Sequence, residues 1–182
     1  MRGASIGALP EDGSRVNDLT RAVLDALRER HTLERGWLYA EEVWCVPDSS
    51  WPDTLRRTPD GIYAGWSRSI DAYAMALWPS MRYERVAYEV KANRGDFLSE
   101  LSDPGKRHYA MCLSNRMYFV MPDGVADKRE IPDGCGIMLY RNGKVRVHKR
   151  APWTWIEEWP TGFVACFGKR LAYPTRNGGD DG

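Results

Sequence analysis

The sequence has no long apolar run, no paired cysteine motif and almost no net charge. No stretch of about 18 apolar residues occurs, which argues against a membrane-spanning helix. The residues before Ser14 lack the apolar segment of a signal peptide, so we expect a cytoplasmic protein with no membrane partner. The four cysteines are far apart and form no Cys-x-x-Cys pair. Neither a zinc site nor a disulfide framework is therefore predicted.

The composition is that of a globular domain. With 182 residues, of which 43% are hydrophobic and 28% charged, the chain suits one domain with one substantial core. We predict a single domain over residues 14–153, preceded by a flexible arm at 1–13. A Trp-rich segment at 154–176 is expected to pack on this domain, and residues 177–182 are expected to form a disordered tail.

The net charge of +1 conceals one strongly basic stretch near the C-terminal end of the predicted domain. Between positions 141 and 150 the sequence has no acid, and its basic residues are Arg141, Lys144, Arg146, Lys149 and Arg150. Such a stretch is either a solvated pair of strands or a patch that faces phosphates. The sequence leaves both readings open.

Residue periodicity predicts an α/β fold with a mixed sheet flanked by helices. Ser14 is a candidate N-cap for an amphipathic helix that ends near Arg30. Helical segments are also predicted from Asp96 to Leu101 and from Lys106 to Leu113. Runs of apolar, aromatic and β-branched residues predict strands at 37–46, 69–77, 85–91, 116–121, 136–140 and 144–149.

Two connections in this order have a definite geometry. A strand, a helical crossover of about twenty residues and a further apolar strand predict parallel neighbours with the helix on one face of the sheet. Asn142-Gly143 predicts a tight turn that joins the last two strands as a C-terminal β-hairpin.

The strands at 69–77 and 85–91 form the centre of the predicted fold. A proline-containing turn separates them, and folding back around Ser80 places Asp71 opposite Glu89. Because side chains alternate along a strand, Lys91 lies on the same face as Glu89. Directly opposed residues have Cβ atoms about 5 Å apart, so the two carboxylates could share a cation.

Two acids opposite one another need a compensating charge. Like charges across a sheet are unfavourable, and a carboxylate among apolar residues loses hydration. A divalent cation would neutralise Asp71 and Glu89 and leave Lys91 free to act on a bound water molecule. The alternative is an ordinary salt bridge of Lys91 on a sheet surface.

The order of acid, Glu-x-Lys, helix and further strand resembles the PD-(D/E)XK nuclease superfamily. Within it, the chain is similar to a group of phage and bacterial proteins related to MmcB-type DNA repair proteins. The resemblance covers about residues 37–153. The segments that carry it, in order, are Ile70–Met75, Tyr88–Lys91, Asn93–Leu98, Pro104–Arg107, Leu113–Val120 and Glu130–Gly136.

The resemblance implies a restriction-endonuclease-like core, to which the C-terminal hairpin is an addition, and a metal-dependent nuclease that hydrolyses DNA. Asp71, Glu89 and Lys91 would be the catalytic residues, and hard oxygen ligands select Mg²⁺ or Mn²⁺. Asp71 and Glu89 would bind the metal together with the Val90 carbonyl, and Glu42 would be a more N-terminal acidic ligand. Repair, recombination or phage DNA processing would be the context.

The literal letters of the superfamily name also occur at Pro59-Asp60. Pairing Asp60 with Glu89 would place the turn between Ala74 and Met75, inside a strongly predicted strand. We therefore take Asp71, and not Asp60, as the first acid.

Other residues are candidates for contacts with DNA. On the helices these are Arg94, Lys106 and Arg107, and in the basic stretch they are Lys144 and Arg146. Cleavage of both strands would require a homodimer.

A different class of function is also open, in which the nuclease fold serves as a DNA- or protein-binding module with weak or no cleavage. Glu41 and Glu42 interrupt the first strand. If both faces of the sheet are partly covered, one of them must point toward the core; the alternative, which we favour, is that both lie at a solvent-exposed edge.

Overall fold

The computed structural model describes residues 12–45, 51, 68–102, 104–156 and 159–174. Ten regular elements follow one another along this part of the chain. In order they are α1 (Asp12–Arg30), β1 (Trp37–Cys45), β2 (Arg68–Ala76), β3 (Arg85–Val90), α2 (Arg94–Leu101), α3 (Pro104–Leu113), β4 (Arg116–Pro122), β5 (Cys135–Arg141), β6 (Lys144–Lys149) and α4 (Thr161–Ala172).

The strands form one six-stranded mixed sheet in the order β1-β2-β3-β4-β5-β6. β3, β4 and β5 are parallel neighbours, and the remaining pairs are antiparallel. The predicted α/β class with a mixed sheet flanked by helices is confirmed. So are the helical crossover between parallel β3 and β4 and the hairpin that joins β5 to β6.

Both faces of the sheet are covered, each by its own hydrophobic core. One face packs against α1, and its buried residues include Leu24, Leu27, Tyr88, Val120 and Met138. The opposite face packs against the other helices, and its buried residues include Phe97, Leu113, Phe119, Ile137 and Phe163. A central strand with both faces buried reads as a nearly continuous apolar run, which is what β4 shows.

Some sequence-based boundaries differ from the structure. Helix α1 begins at Asp12, so Ser14 lies inside its first turn and is not the N-cap. Cap preferences are weak compared with the packing of an amphipathic helix on a sheet, which decides where α1 lies. Residues 1–11, most of the 47–68 segment with Asp60, and residues 175–182 lie outside the described residues.

The C-terminal segment contains a helix that the count of tryptophans did not reveal. Phe163 and Phe167 of α4 are buried, and their rings lie 5.1 and 5.2 Å from the ring of Tyr73. Trp159 joins this aromatic cluster, with its ring 6.2 Å from Tyr73. The spacing of four residues between the two phenylalanines is the helical signal. Within the described residues, no helix is both long and apolar enough to cross a bilayer.

Candidate metal centre at the end of the central hairpin

The predicted register of the central hairpin is confirmed. Ala72 pairs with Tyr88 and Met75 pairs with Arg85, and both pairs are symmetric about Ser80 in the turn. That turn contains a short 3-10 helix at Pro79–Met81. One residue beyond the Ala72–Tyr88 pair, toward the open end of the hairpin, the same register brings Asp71 close to Glu89.

Asp71 lies in the gap where β2 and β3 separate. The Val90 N–H donates a hydrogen bond to Asp71 Oδ2 at 2.8 Å, whereas the Lys91 N–H donates to the Val120 carbonyl of β4 at 2.9 Å. Since successive N–H groups of a strand point in opposite directions, the Val90 N–H points toward β2. The Asp71 carboxylate therefore takes the place of a β2 carbonyl in the ladder.

The alternation of side chains between the two faces of β2 is also interrupted at this point. Ala72 belongs to the core under α1, but Ile70, two residues away, belongs to the core on the other face. On the neighbouring strand, Glu42 has a φ of 48°, a left-handed conformation that is uncommon for a residue with a side chain. The simple alternation expected for Asp71 thus fails here, because a local irregularity turns its carboxylate into the sheet plane.

A cleft of about 350 Å³ opens where the strands separate. It runs from α1 on one face, past the ends of β2 and β3, to α2 on the other face. The residues that line it are Thr20, Leu24, Glu42, Asp71, Val90, Lys91, Asp96, Ser99 and Glu100. Of the residues predicted to bind metal or act in catalysis, Glu42, Asp71, Val90 and Lys91 line this opening, and Glu89 is not among the lining residues.

Lys91 connects the acids of the cleft. Its Nζ lies 3.4 Å from Glu89 Oε2 and 3.0 Å from Glu100 Oε2. Hydrogen bonding by the Glu89 side chain also lowers the pKa of Asp71, so the two carboxyl groups interact. The predicted triad of Asp71, Glu89 and Lys91 is thus brought together, with Glu100 as a fourth member.

Burial controls the protonation of this group. Burial raises the pKa of Asp71, against the hydrogen bond from the Val90 N–H and the charge of Lys91. Burial also raises the pKa of Glu89 well above its usual value, and the neighbouring Asp71 charge adds to this increase. Ionising both carboxyl groups at once is therefore unfavourable in this environment.

Lys91 remains an ammonium in this environment. Burial lowers the pKa of Lys91, but the charges of Glu89, Glu100 and Asp71 outweigh burial and leave the pKa above its usual value. A lysine in this state donates hydrogen bonds and offsets negative charge, and it is a poor base.

Glu100 is the site residue that sequence reasoning missed. Its side chain is only 4% exposed, and its Oε1 is buried with no hydrogen-bond partner among the described residues. The signal was its position three residues after the buried Phe97, which puts an acid on the inward face of α2. A buried acid on an otherwise apolar helix face is uncommon unless it has a polar role.

The two glutamates of β1 have different environments, contrary to the expectation that both lie in solvent. Glu41 is buried, and its Oε1 accepts hydrogen bonds from Arg21 at 2.7 Å and Arg28 at 2.8 Å. Glu42 is exposed and lines the cleft, and its Oε2 lies 3.7 Å from Arg170. Arginines already neutralise Glu41, so Glu42 is the acid of this pair that can reach the cleft.

The donor set of the cleft fits a hard cation. No three Asp, Glu, His or Cys side chains within the described ranges are already arranged around one point as ligands. Even so, Glu100 Oε1 is a buried oxygen with an unmet interaction, and Asp71 and Glu89 are acids that burial makes costly to ionise. Carboxylate and carbonyl oxygens are the ligands of Mg²⁺ or Mn²⁺, and binding of either cation would favour the ionised form of both acids.

The predicted DNA contacts are distributed around the molecule, and none of those whose side chains are described lines this cleft. Arg94 forms a two-bond ion pair with Glu130, and its Nη1 also donates to the Val125 carbonyl at 3.1 Å. Arg107 donates to the Glu100 carbonyl at 2.6 Å, at the end of α2. Lys106 belongs to α3, but its side chain lies outside the described residues.

The basic residues of β6 are far from the acids. Lys144 and Arg146 are exposed on the last strand of the sheet, four strand spacings from β2. With about 4.8 Å per spacing, β6 is roughly 19 Å from β2, which carries Asp71, and roughly 14 Å from β3, which carries Glu89. A DNA molecule that contacted both the acids and these basic residues would have to extend across the sheet from β2 to β6.

Comparisons with known proteins support the fold and do not bear on activity. No protein-family model and no curated protein matches this chain. The chain is similar in structure to the SPO1766 protein of unknown function from Silicibacter pomeroyi, with a TM-score of 0.52 and 14% sequence identity. The match covers 85% of this chain and 84% of that protein.

Proposed function

We propose that this protein is a cytoplasmic Mg²⁺- or Mn²⁺-dependent phosphodiesterase that hydrolyses DNA, in repair, recombination or phage DNA processing. The observation that carries the proposal is the contact of Asp71, Glu89 and Lys91 at the end of one hairpin, where Asp71 and Lys91 line a cleft open to solvent and Glu89 contacts both. A group of buried charges that merely held strands together would not need to line an opening. Groups with perturbed pKa values in a cleft are typical of functional sites.

Each residue of the cleft has a role that its position permits. Asp71 and Glu89 would hold the cation, and the Val90 carbonyl, which the family resemblance suggests, would be a third ligand. When bound, the cation would polarise a phosphoryl oxygen and lower the pKa of a water molecule. Glu42 reaches the same cleft from β1 and would be an outer ligand.

Lys91 would orient the attacking water and offset charge on the phosphate. Its raised pKa favours this role over proton abstraction at neutral pH. Glu100 would hold the Lys91 ammonium through the 3.0 Å contact, so that it is a positioning residue. Cleavage of both DNA strands would need a second copy of the site, and a homodimer would provide it.

A DNA- or protein-binding module is the second candidate. The observation that favours it is that Lys91 is bound by two glutamates, as in a structural ion pair. One observation argues against this candidate. A purely structural network would leave Glu100 Oε1 buried without a hydrogen-bond partner among the described residues, which costs free energy.

Cleavage by wild type and Lys91→Ala separates the two candidates. Linear, circular, branched and single-stranded DNA are incubated with Mg²⁺ or Mn²⁺, and products are resolved on gels. Lys91→Ala should lower the cleavage rate by at least ~10²-fold, the lower end of what a positioned charge contributes. DNA affinity should change little, because phosphate contacts elsewhere dominate it and give it a salt dependence.

Lys128→Ala is the matched control, since Lys128 is an exposed lysine outside the cleft. It should cleave at the wild-type rate. Equal cleavage by Lys91→Ala and wild type, with contaminating nuclease excluded, would refute the mechanism. A wild type that binds DNA with a normal salt slope and cuts none of the substrates would favour the binding module.

A further inference from the structure

A second cavity, of about 340 Å³, lies on the α1 face of the sheet. Arg30 and His31 at the end of α1 line one side, and Val147 and Arg150 line another. Leu24, which lines the acidic cleft, is six residues before Arg30 on the same helix. At about 1.5 Å per residue the two openings approach to about 9 Å along α1. Among the described residues they have no lining residue in common, and they are therefore separate sites.

The second cavity is basic. Arg30, Arg116 and Arg150 line it, and the acid among its lining residues is Glu84. Glu84 is already paired with Arg116 at 2.7 Å. Among the described residues, no carboxylate forms an ion pair with Arg30 or Arg150, and both are exposed. Two guanidinium groups are therefore available to an anion, and planar guanidinium groups bind phosphate well.

The floor of the cavity is aromatic. Trp37, Tyr88 and Tyr118 line it, and the two tyrosine rings stack at 6.2 Å. His31 also lines it and is only 5% exposed. Its Nε2 shares a 2.6 Å hydrogen bond with the Tyr88 hydroxyl, but its Nδ1 is buried without a partner among the described residues. In either tautomer Nδ1 has one unmet hydrogen bond.

We propose that this cavity binds a nucleoside monophosphate unit, with its phosphate on Arg30 and Arg150 and its base against the aromatic floor. The unit is a free nucleotide or the phosphorylated end of a DNA strand, since both present the same chemistry. Cationic groups beside aromatic rings suit this ligand, because bases stack on aromatic side chains and phosphates bind guanidinium groups. The volume is within the range of small-molecule sites. The proposal does not depend on hydrolysis at the acidic cleft.

Equilibrium binding in EDTA tests the proposal, with calorimetry for dAMP and anisotropy for a 5′-phosphorylated single-stranded oligonucleotide. Val147→Glu places a negative charge in the cavity at a position that is 44% exposed. Its matched control is Val164→Glu, on α4 and 42% exposed, which does not line the cavity. Arg30→Gln/Arg150→Gln removes the two available cations, and Lys128→Gln/Arg129→Gln makes the same charge change elsewhere.

Both cavity variants should weaken dAMP binding at least tenfold, and both controls should remain within twofold of wild type. Deoxyadenosine and inorganic phosphate should each bind more weakly than dAMP. If the cavity variants weaken binding of the oligonucleotide as well as binding of dAMP, the ligand is a strand end. If wild type binds dAMP but not the oligonucleotide, the ligand is a free nucleotide.

The proposal is overturned if wild type binds neither ligand at millimolar concentration, or if cavity and control variants bind equally. Thermal melts check that each variant folds. If Val147→Glu does not fold, the double variant Arg30→Gln/Arg150→Gln still tests the cavity. Lys91→Ala should retain dAMP binding. Failure of cleavage and failure of nucleotide binding are therefore separate results.

Discussion

Asp71→Asn tests the candidate metal centre without relying on a DNA substrate. A cation that binds only the folded protein stabilises it by RT ln(1 + [L]/Kd), which at ten times Kd is about 1.4 kcal/mol. For a protein of this size, each kcal/mol raises the melting temperature by about 2–4 °C. We therefore expect Mg²⁺ or Mn²⁺ at that level to raise the wild-type melting temperature by about 3–6 °C.

The variant should lose this increase. Asparagine keeps an oxygen that can accept the 2.8 Å hydrogen bond from the Val90 N–H, so the fold has no reason to change. It also removes the charge that adds to the raised pKa of Glu89. The metal-free variant should melt at the wild-type temperature or higher.

Differential scanning calorimetry with and without the cation measures both effects. The matched control is Asp133→Asn, because Asp133 is an exposed acid outside the cleft. This control should show the full increase. An equal increase in wild type and Asp71→Asn would refute the metal site, and a large loss of stability in metal-free Asp71→Asn would show that its charge serves the fold.

Three further predictions concern other parts of the structure. Glu100→Gln should lower the pKa of Lys91 and shift the basic limb of the pH–rate profile downward; an unchanged profile would remove Glu100 from the site. Phe163→Ala should cost about 3–5 kcal/mol in urea unfolding because Phe163 is fully buried, whereas Val164→Ala, at an exposed position, should cost less than about 0.5 kcal/mol. Burial lowers the pKa of His31 in the folded protein to about 3. Its contribution to the free energy of unfolding is therefore complete above the pKa of His31 in the unfolded chain and is lost as the pH falls below that value. From pH 7 to 5 this loss is about 2 kcal/mol, and it should be absent in His31→Asn; equal slopes for both proteins would contradict it.

The strands and their neighbours could be predicted because their signals are local. Runs of apolar and β-branched residues mark each strand, and the turns at Ser80 and at Asn142-Gly143 fix which strands pair. A hairpin has one register for a given turn, so the approach of Asp71 to Glu89 followed from the sequence. The helical crossover of about twenty residues then predicted β4 as a parallel neighbour of β3.

The orientation of individual polar groups needed the tertiary structure. The rule of alternation placed Asp71 on one face, but the separation of β2 from β3 turns its carboxylate toward the Val90 N–H. Glu41 was expected in solvent, but α1 packs over it and brings two arginines to its carboxylate. In both cases the decisive partner is distant in sequence.

Periodicity and turn chemistry were enough to predict the α/β class, the hairpin register and the proximity of Asp71, Glu89 and Lys91. The packing of the elements was needed to find that Glu100 holds Lys91, that Glu130 engages Arg94, and that β6 lies roughly 19 Å from β2. This difference arises because strand pairing is set by repeating local geometry. The partner of a charged side chain is set by whichever group the packing of helices on the sheet brings within a few ångströms.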